Sequence, residues 1–127
     1  ETTSLDTQVL LIDTMGELPL FYACSDLAFV GGSLVEHGGH NILEPALLAK
    51  AIITGPHFFN FSEITQQFLD ADAAVLVTDQ NELADTVIML LQDQPQCLAM
   101  GEAAEQIIDK SQGASKRIID LIKQYLL

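Results

Sequence analysis

Four short apolar runs divide the sequence, near residues 8–12, 26–30, 51–54 and 73–77. Each run has the length of one strand, and its apolar residues are consecutive rather than at every second position. Strands of that kind are buried on both faces, which is typical of a parallel sheet covered by helices. Because stretches with helical spacing separate the runs, the sequence predicts an α/β fold with four parallel strands and no hairpin between consecutive strands.

The segments between the apolar runs carry helical signals. The first is predicted to form a helix over about residues 16–25, opened by a capping box of Thr14 and Glu17. A second helix is predicted to follow the glycine-rich loop after the second run, and a third to cover residues 60–70. Most of the chain after residue 78 has helical spacing as well.

Charge and composition narrow the function classes. Eighteen acidic residues against five basic ones give a net charge of −13, which repels nucleic acid and anionic lipid, so a general nucleic-acid or membrane binder is not expected. An apolar content of 49% without any apolar run near the roughly 20 residues that cross a bilayer predicts a packed globular domain. Cys24 and Cys97 lie far apart without a CxxC motif, which fits a reducing cytoplasm better than a disulfide framework or a zinc cluster.

The densest group of chemically distinctive residues lies between residues 31 and 45, where four glycines and two histidines precede a predicted helix. Ligands of parallel sheets bind beyond the carboxyl ends of the strands, and this loop follows the second run. Glycines allow close backbone approach and a helix N-terminus attracts anions, so the loop is a candidate phosphate cradle. Such a cradle needs no cation, and the first basic residue of the chain is Lys50. A plain surface loop explains the composition equally well.

Two other interpretations of this loop involve its polar side chains. His37 and His40, with Glu36 and Glu44, have residue types that suit zinc or manganese. A metal site is not favoured, because two glycines separate the histidines and no helix fixes their rings. Hydrogen bonds from the histidines to a ligand or to loop carbonyls are the preferred interpretation. Alternatively, Asn41 caps the following helix and Glu44 reaches back to it, a purely structural role for both.

Four segments of the sequence together resemble the C-terminal part of 3-deoxy-D-manno-octulosonic acid (Kdo) transferases. The resemblance covers most of the chain and is densest between residues 9 and 64. The matching segments are Asp13-Thr-Met-Gly-Glu-Leu18, Leu27-Ala-Phe-Val-Gly-Gly-Ser-Leu-Val35, Gly38-Gly-His-Asn41 with Glu44, and Gly55-Pro-His57 with Asn60-Phe61. The sequence departs from the family at Ile42, where the family commonly has proline.

The resemblance implies a Rossmann-like parallel sheet with flanking helices, as part of the C-terminal domain of a GT-B glycosyltransferase. That domain binds CMP-Kdo, the donor from which Kdo is moved onto a lipid A precursor, without a cofactor or metal. Met15, Gly16 and Glu17 would contact the nucleotide, Asn41 would face the phosphate, and Glu44 would accept hydrogen bonds from the ribose hydroxyls. The complete implied nucleotide-sugar-binding set is Met15, Gly16, Glu17, Gly31, Gly32, Ser33, Gly38, Gly39, His40, Asn41 and Glu44.

The resemblance also implies that residues 1–127 are a single, truncated donor-binding domain. Two further strands would lie between the first and second predicted strands. The N-terminal domain would hold the acceptor, the catalytic carboxylate and the membrane-contacting segment, so the chain alone is expected to be soluble and inactive. The parent protein is expected at the cytoplasmic face of the inner membrane of a Gram-negative bacterium. The alternatives are the donor domain of another GT-B enzyme, such as a UDP-sugar epimerase, and a non-catalytic interaction domain.

Overall fold

The computed structural model describes residue 4 and residues 6–126, and its centre is a three-stranded parallel sheet. The strands are β1 (Leu27–Phe29), β2 (Ala51–Thr54) and β3 (Ala74–Leu76), in the spatial order β1-β2-β3. Ala28 pairs with Ile52, and Ile53 pairs with Val75. The predicted α/β class and the three predicted strands in this part of the chain are therefore confirmed.

Helices connect and cover these strands. The connection from β1 to β2 contains the four-residue helix α2, and the connection from β2 to β3 contains a 3₁₀ turn followed by α3, as the helical spacing of residues 60–70 predicted. After β3 the chain is almost entirely helical. The helices are α1 (Leu18–Cys24), α2 (Leu43–Ala46), α3 (Ser62–Asp70), α4 (Gln80–Gln92) and α5 (Gln94–Leu126), and the 3₁₀ turn is Phe59–Phe61.

The core has two halves, one on each face of the sheet. All four residues of β2 are buried, which is why this strand reads as one continuous apolar run. Ile52 belongs to the half covered by α2, α3 and part of α5, together with Phe68 and Ala104. Ile53 belongs to the opposite half, with Leu90 of α4 and Met100 of α5. Helix α5 thus contributes to both halves and fixes the layers around β2.

The predicted strand over residues 8–12 is wrong. These residues form no strand, and Val9 and Leu11 are 86% and 87% exposed. The apolar residues themselves fit a strand, but a strand exists only through hydrogen bonds to a neighbour, and no strand of the described chain lies beside this segment. Its apolar content therefore does not decide its backbone conformation.

The capping box predicted for the first helix is also wrong. Helix α1 begins at Leu18, its N-cap residue is Glu17, and no side chain caps it. Gly16 has a φ of +83°, which is incompatible with a right-handed helix, so the helix begins after it. Pro19 lies in the first helical turn, where the missing N–H of proline is tolerated. The Thr14 hydroxyl instead donates a hydrogen bond to the Glu17 carboxylate, outside the helix.

Candidate functional site

The candidate site lies at the carboxyl end of the sheet, where the loops after β1 and β2 meet. The loop after β1 closes on itself at its base, because the backbone N–H of His40 donates to the Gly31 carbonyl at 3.1 Å and that of Gly39 donates to the Gly32 carbonyl at 3.0 Å. Residues 33–38 form the excursion between these bonds. The glycine-rich loop is therefore an ordered structure and not a passive connection.

Ser33 ties this loop to the end of β2. It is completely buried, and its hydroxyl donates to the Val30 carbonyl at 2.5 Å and accepts from the backbone N–H of Gly55 at 2.8 Å. Its own carbonyl accepts from the backbone N–H of His57 at 2.9 Å. The Ser33 side chain thus positions the loop and does not point toward solvent, where a ligand would approach.

Gly38 and Gly39 are needed for contact between the two loops. Both are buried with positive φ, at +96° and +76°. A Cβ on Gly38 would overlap the Asn60 amide, and one on Gly39 would lie 3.3 Å from the His57 carbonyl oxygen. These two glycines let the loop after β1 pack against the loop after β2, a role different from the predicted close approach to a ligand.

Asn60 is a positioning residue to which the sequence analysis gave no role. Its backbone N–H donates to the Gly38 carbonyl at 3.1 Å, and its side-chain amide donates to the carbonyls of His37 at 3.2 Å and Gly39 at 3.4 Å. The sequence indicated Asn60 only as part of Asn60-Phe61, one of the segments on which the family resemblance rests. Its partners lie more than 20 residues away, and nothing in the sequence shows that contact.

The two histidines of the loop lie side by side at the surface. The centroids of the His37 and His40 rings are 5.5 Å apart, with the ring planes inclined by 52°. Both rings lie next to Gly32, where a Cβ would be 3.1 Å from His37 and 3.3 Å from His40. No group of three or more potential metal ligands occurs among the described residues. The rings are exposed hydrogen-bonding groups at the mouth of the loop.

The predicted phosphate cradle depends on backbone N–H groups that are free to bind an anion. The backbone N–H groups of His37, Gly39 and His40 are bonded within the loop, so they are not free for an anion. Helix α2 has only four residues, which limits the macrodipole at its start. It ends at Ala46, and Ala49, with a φ of +52°, precedes β2. These three backbone groups are thus withdrawn from anion binding, whereas the exposed His40 ring is a side-chain donor at the same loop.

Asn41 and Glu44 do not form the capping pair that was the structural alternative for them. The residue at the N-cap of α2 is Ile42, and no side chain caps this helix. The Asn41 side-chain oxygen accepts a hydrogen bond from the backbone N–H of Leu43 at 3.0 Å, which is an Asx turn one residue earlier. This bond leaves the Asn41 NH₂ group as a donor.

Glu44 faces helix α1. Helices α1 and α2 are in contact, and Tyr22 of α1 is partly buried there. Burial raises the pKa of the Tyr22 phenol above its ordinary value, and the negative charge of Glu44 raises it further. The Lys50 ammonium donates to the Ala23 carbonyl at 3.1 Å and holds the end of α1 near the start of β2. Glu44 is thus a half-buried carboxylate of α2 on the side of α1.

Met15, Gly16 and Glu17 precede α1. The Met15 side chain is 96% exposed, and no atom lies within 4 Å of the position that a Cβ on Gly16 would take. This segment is therefore open to solvent at the N-terminal end of the helix that contacts Glu44. The arrangement can present an apolar side chain and backbone groups to a flat ligand.

Comparisons with known proteins agree on one family. Residues 1–107 match the model of the family described as glycosyl transferases group 1. The 3-deoxy-D-manno-octulosonic acid transferase of Haemophilus influenzae is 41% identical, over 99% of this chain and 30% of that protein. The enzyme of the same name from Bordetella pertussis is 37% identical, over 93% of this chain and 28% of that protein. The chain thus spans less than a third of the length of these relatives.

A solved structure is also similar. The crystal structure of the C-terminal CMP-Kdo binding domain of WaaA from Acinetobacter baumannii superimposes with a TM-score of 0.68 at 41% identity. The match covers 79% of this chain and 54% of that one. It confirms the resemblance to Kdo transferases and the Rossmann-like fold class. With the family model matching most of its length, the chain belongs to the glycosyl transferases group 1.

Proposed function

We propose that this chain is the CMP-Kdo-binding part of a Kdo transferase that moves Kdo onto a lipid A precursor. The observation that carries the proposal is the similarity to a domain described as CMP-Kdo binding, at 41% identity over 79% of the chain. The same name recurs among the relatives that match almost the whole chain. The geometry of the site supports it, because a half-buried carboxylate, the Asn41 amide and exposed histidine rings lie at the carboxyl end of a parallel sheet.

The nucleoside is proposed to bind where α1 meets α2. Glu44 accepts hydrogen bonds from the ribose hydroxyls, a role open to it because it caps no helix. Met15 and the backbone of Gly16 and Glu17 contact the base from the start of α1. The contact between α1 and α2 places the start of α1, with Met15, Gly16 and Glu17, on the side of Glu44.

The phosphate and the sugar are proposed to lie over the glycine-rich loop. The NH₂ group of Asn41 and the exposed His40 ring donate hydrogen bonds to the phosphate, with Gly31 and Gly32 forming the floor beneath it. Ser33, Gly38 and Gly39 support this floor through their contacts with the loop after β2. Hydrogen bonds thus take the place of lysine and arginine, which are absent from the first 49 residues.

In the proposed reaction, an acceptor hydroxyl attacks the anomeric carbon of Kdo, and the bond to the phosphate of CMP breaks. The residues of this chain stabilise the departing CMP by donating hydrogen bonds to its phosphate. The acceptor lipid and the carboxylate that removes the hydroxyl proton belong to a part of the protein outside this sequence. Because the proposed acceptor is a lipid, we propose that the reaction takes place at a membrane surface, the cytoplasmic face of the inner membrane. In the described part of the chain, no helix is long and apolar enough to cross a bilayer.

CMP is expected to bind the full-length protein at least tenfold more tightly than UDP. A site that orients the ribose and phosphate of a cytidine monophosphate leaves a second phosphate without donors, since the loop contains no cation. Isothermal titration of both nucleotides under one set of conditions measures the ratio. Equal or tighter binding of UDP would contradict the proposal in favour of a UDP-sugar enzyme, and the binding of neither would favour a non-catalytic domain.

The purified 127-residue chain is expected to show no transfer of Kdo from CMP-Kdo to a lipid A precursor. It supplies groups for the donor only, and the attacking hydroxyl would have neither a binding surface nor a base. A radiolabelled-acceptor assay, with the full-length protein as the positive control, measures this. Any turnover by the chain alone would place the catalytic carboxylate within these residues.

A further inference from the structure

The His37 ring is a polar group at the donor site to which the proposed function gives no role. It lies beside the His40 ring, with 5.5 Å between the ring centroids and an angle of 52° between the ring planes. Both rings lie next to Gly32, because a Cβ there would be 3.1 Å from the His37 ring and 3.3 Å from the His40 ring. The two imidazoles therefore share the glycine floor on which the phosphate is proposed to lie.

The carbonyl groups of this loop accept hydrogen bonds from other donors. Those of Gly31 and Gly32 accept from backbone N–H groups of the loop itself. Those of His37 and Gly39 accept from the Asn60 amide. Within the described residues, neither histidine ring donates to any of these carbonyls. Of the two partners that the sequence allowed for the histidines, loop carbonyls and a ligand, the ligand is therefore favoured.

The backbone that carries the two rings is held at both ends. The Asn60 amide donates to the His37 carbonyl at 3.2 Å and to the Gly39 carbonyl at 3.4 Å. The backbone N–H of His40 donates to the Gly31 carbonyl at 3.1 Å. The positions of the two histidines are thus preorganised, which reduces the entropy that is lost when a ligand binds.

The two imidazoles also replace the cations that this part of the chain lacks. The first basic residue is Lys50, and residues 31–45 contain two carboxylates, Glu36 and Glu44, without a lysine or arginine. An imidazole donates one hydrogen bond when it is neutral and two when it is protonated. Two adjacent imidazoles are therefore suited to two adjacent anionic groups.

The donor of the proposed reaction presents two such groups. Kdo is a keto sugar acid, so its anomeric carbon is bonded both to the ester oxygen of the phosphate and to the carboxyl carbon. The carboxylate therefore lies next to the phosphate in every conformation of the sugar. When the phosphate is bound by His40 and Asn41, the carboxylate needs a donor close to His40, and the His37 ring is adjacent to it.

We propose that His37 donates a hydrogen bond to the carboxylate of the donor sugar, while His40 donates to the phosphate. This inference rests on the proposed function, because it assigns one more contact to the same bound donor. It makes His37 a specificity-determining residue for an acidic sugar, since a neutral sugar has no carboxylate for it to bind. CMP contains the phosphate without the carboxylate, so the two contacts can be measured separately.

Steady-state kinetics and isothermal titration of the full-length protein test the contact. His37→Ala is expected to raise the KM for CMP-Kdo about tenfold, the effect of losing one hydrogen bond to a charged group. The kcat is expected to change little, because the contact is made both before and during cleavage of the bond to the phosphate. The Kd of CMP is expected to be unchanged, because CMP has no carboxylate.

Three further variants separate this contact from other effects. His37→Arg retains a donor for a carboxylate and is expected to keep the KM for CMP-Kdo close to that of the wild type. His40→Ala is expected to raise the KM for CMP-Kdo and the Kd of CMP together, because both ligands contain the phosphate. Val35→Ala changes an exposed side chain of the same loop and is expected to alter neither value.

The outcomes that contradict the contact differ from those that contradict the proposed function. An unchanged KM for CMP-Kdo in His37→Ala, in a protein that binds CMP, would overturn the contact alone. A loss of CMP affinity as large as the rise in KM would also overturn it, since His37 would then act on the phosphate or on the shape of the loop. If the wild type binds no CMP, the proposed function is wrong and the contact with it.

Discussion

Replacing Glu44 with glutamine in the full-length protein is expected to weaken CMP binding ten- to a hundredfold. The carboxylate is half-buried on the side of α2 that faces α1, and loss of the charged acceptor of the proposed ribose hydrogen bonds costs about 1.5–3 kcal/mol. The melting temperature is expected to change little, because no side chain caps α2 and the carboxylate therefore has no capping role to lose. Isothermal titration with CMP and thermal unfolding of both proteins provide the two measurements.

Glu63→Gln is the matched control for this substitution. Glu63 is the second residue of α3, as Glu44 is the second residue of α2, and it is exposed outside the site. Both substitutions remove one negative charge from a first helical turn, so they share any effect on the helix dipole. A ribose contact predicts weaker binding for the Glu44 variant alone. Unchanged CMP affinity in the Glu44 variant would exclude the ribose contact.

The three strands of the sheet were predictable because each is determined by its own residues. The run at residues 51–54 is apolar except for Thr54 and ends at Gly55 and Pro56, and the structure buries all four of its residues. Burial on both faces is a property of the central strand of a parallel sheet, so the pattern and the position agree. A sequence pattern of this kind predicts both the strand and its burial on both faces.

At residues 8–12 the apolar pattern predicted a strand that the structure does not contain. This segment is as apolar as β2, yet Leu11 is 87% exposed and the segment forms no strand. β2 has a strand on either side, whereas no strand of the described chain borders residues 8–12. A strand depends on hydrogen bonds to a partner, which an apolar run alone does not supply.

The position of the candidate residues in the fold was predictable from the sequence, but the contacts among them were not. The glycines after β1 indicate a loop at the carboxyl end of a parallel strand, which is where ligands of such sheets bind. Their roles depend on residues that are distant in the sequence. Gly38 is required by Asn60, and Gly55 by the backbone of Ser33, which a Cβ would overlap. Only the folded structure distinguishes a glycine that contacts a neighbouring loop from one that a ligand approaches.

Gly101→Ala is expected to lower the stability of the protein by about 3 kcal/mol, and its melting temperature by roughly 10 °C. Alanine ordinarily stabilises a helix relative to glycine by about 1 kcal/mol, so this substitution has the opposite sign. The cause is the close approach of α5 to the turn after α2, where a Cβ on Gly101 would overlap the Ala49 carbonyl. That carbonyl is backbone, so the new methyl group can be accommodated only if α5 and the turn separate. Urea and thermal unfolding measure the loss.

The same helix provides the control, since Gly113 also lies within α5. Only the end of the Arg117 side chain, at 3.9 Å, comes within 4 Å of a Cβ there. Gly113→Ala is therefore expected to raise stability by about 0.5–1 kcal/mol, because the helix gains propensity without a clash. Opposite signs for two identical substitutions in one helix would isolate the close contact at Ala49 as the cause. A gain in stability for both variants would show that α5 does not approach this turn, and with it that the turn after α2 is not fixed by α5.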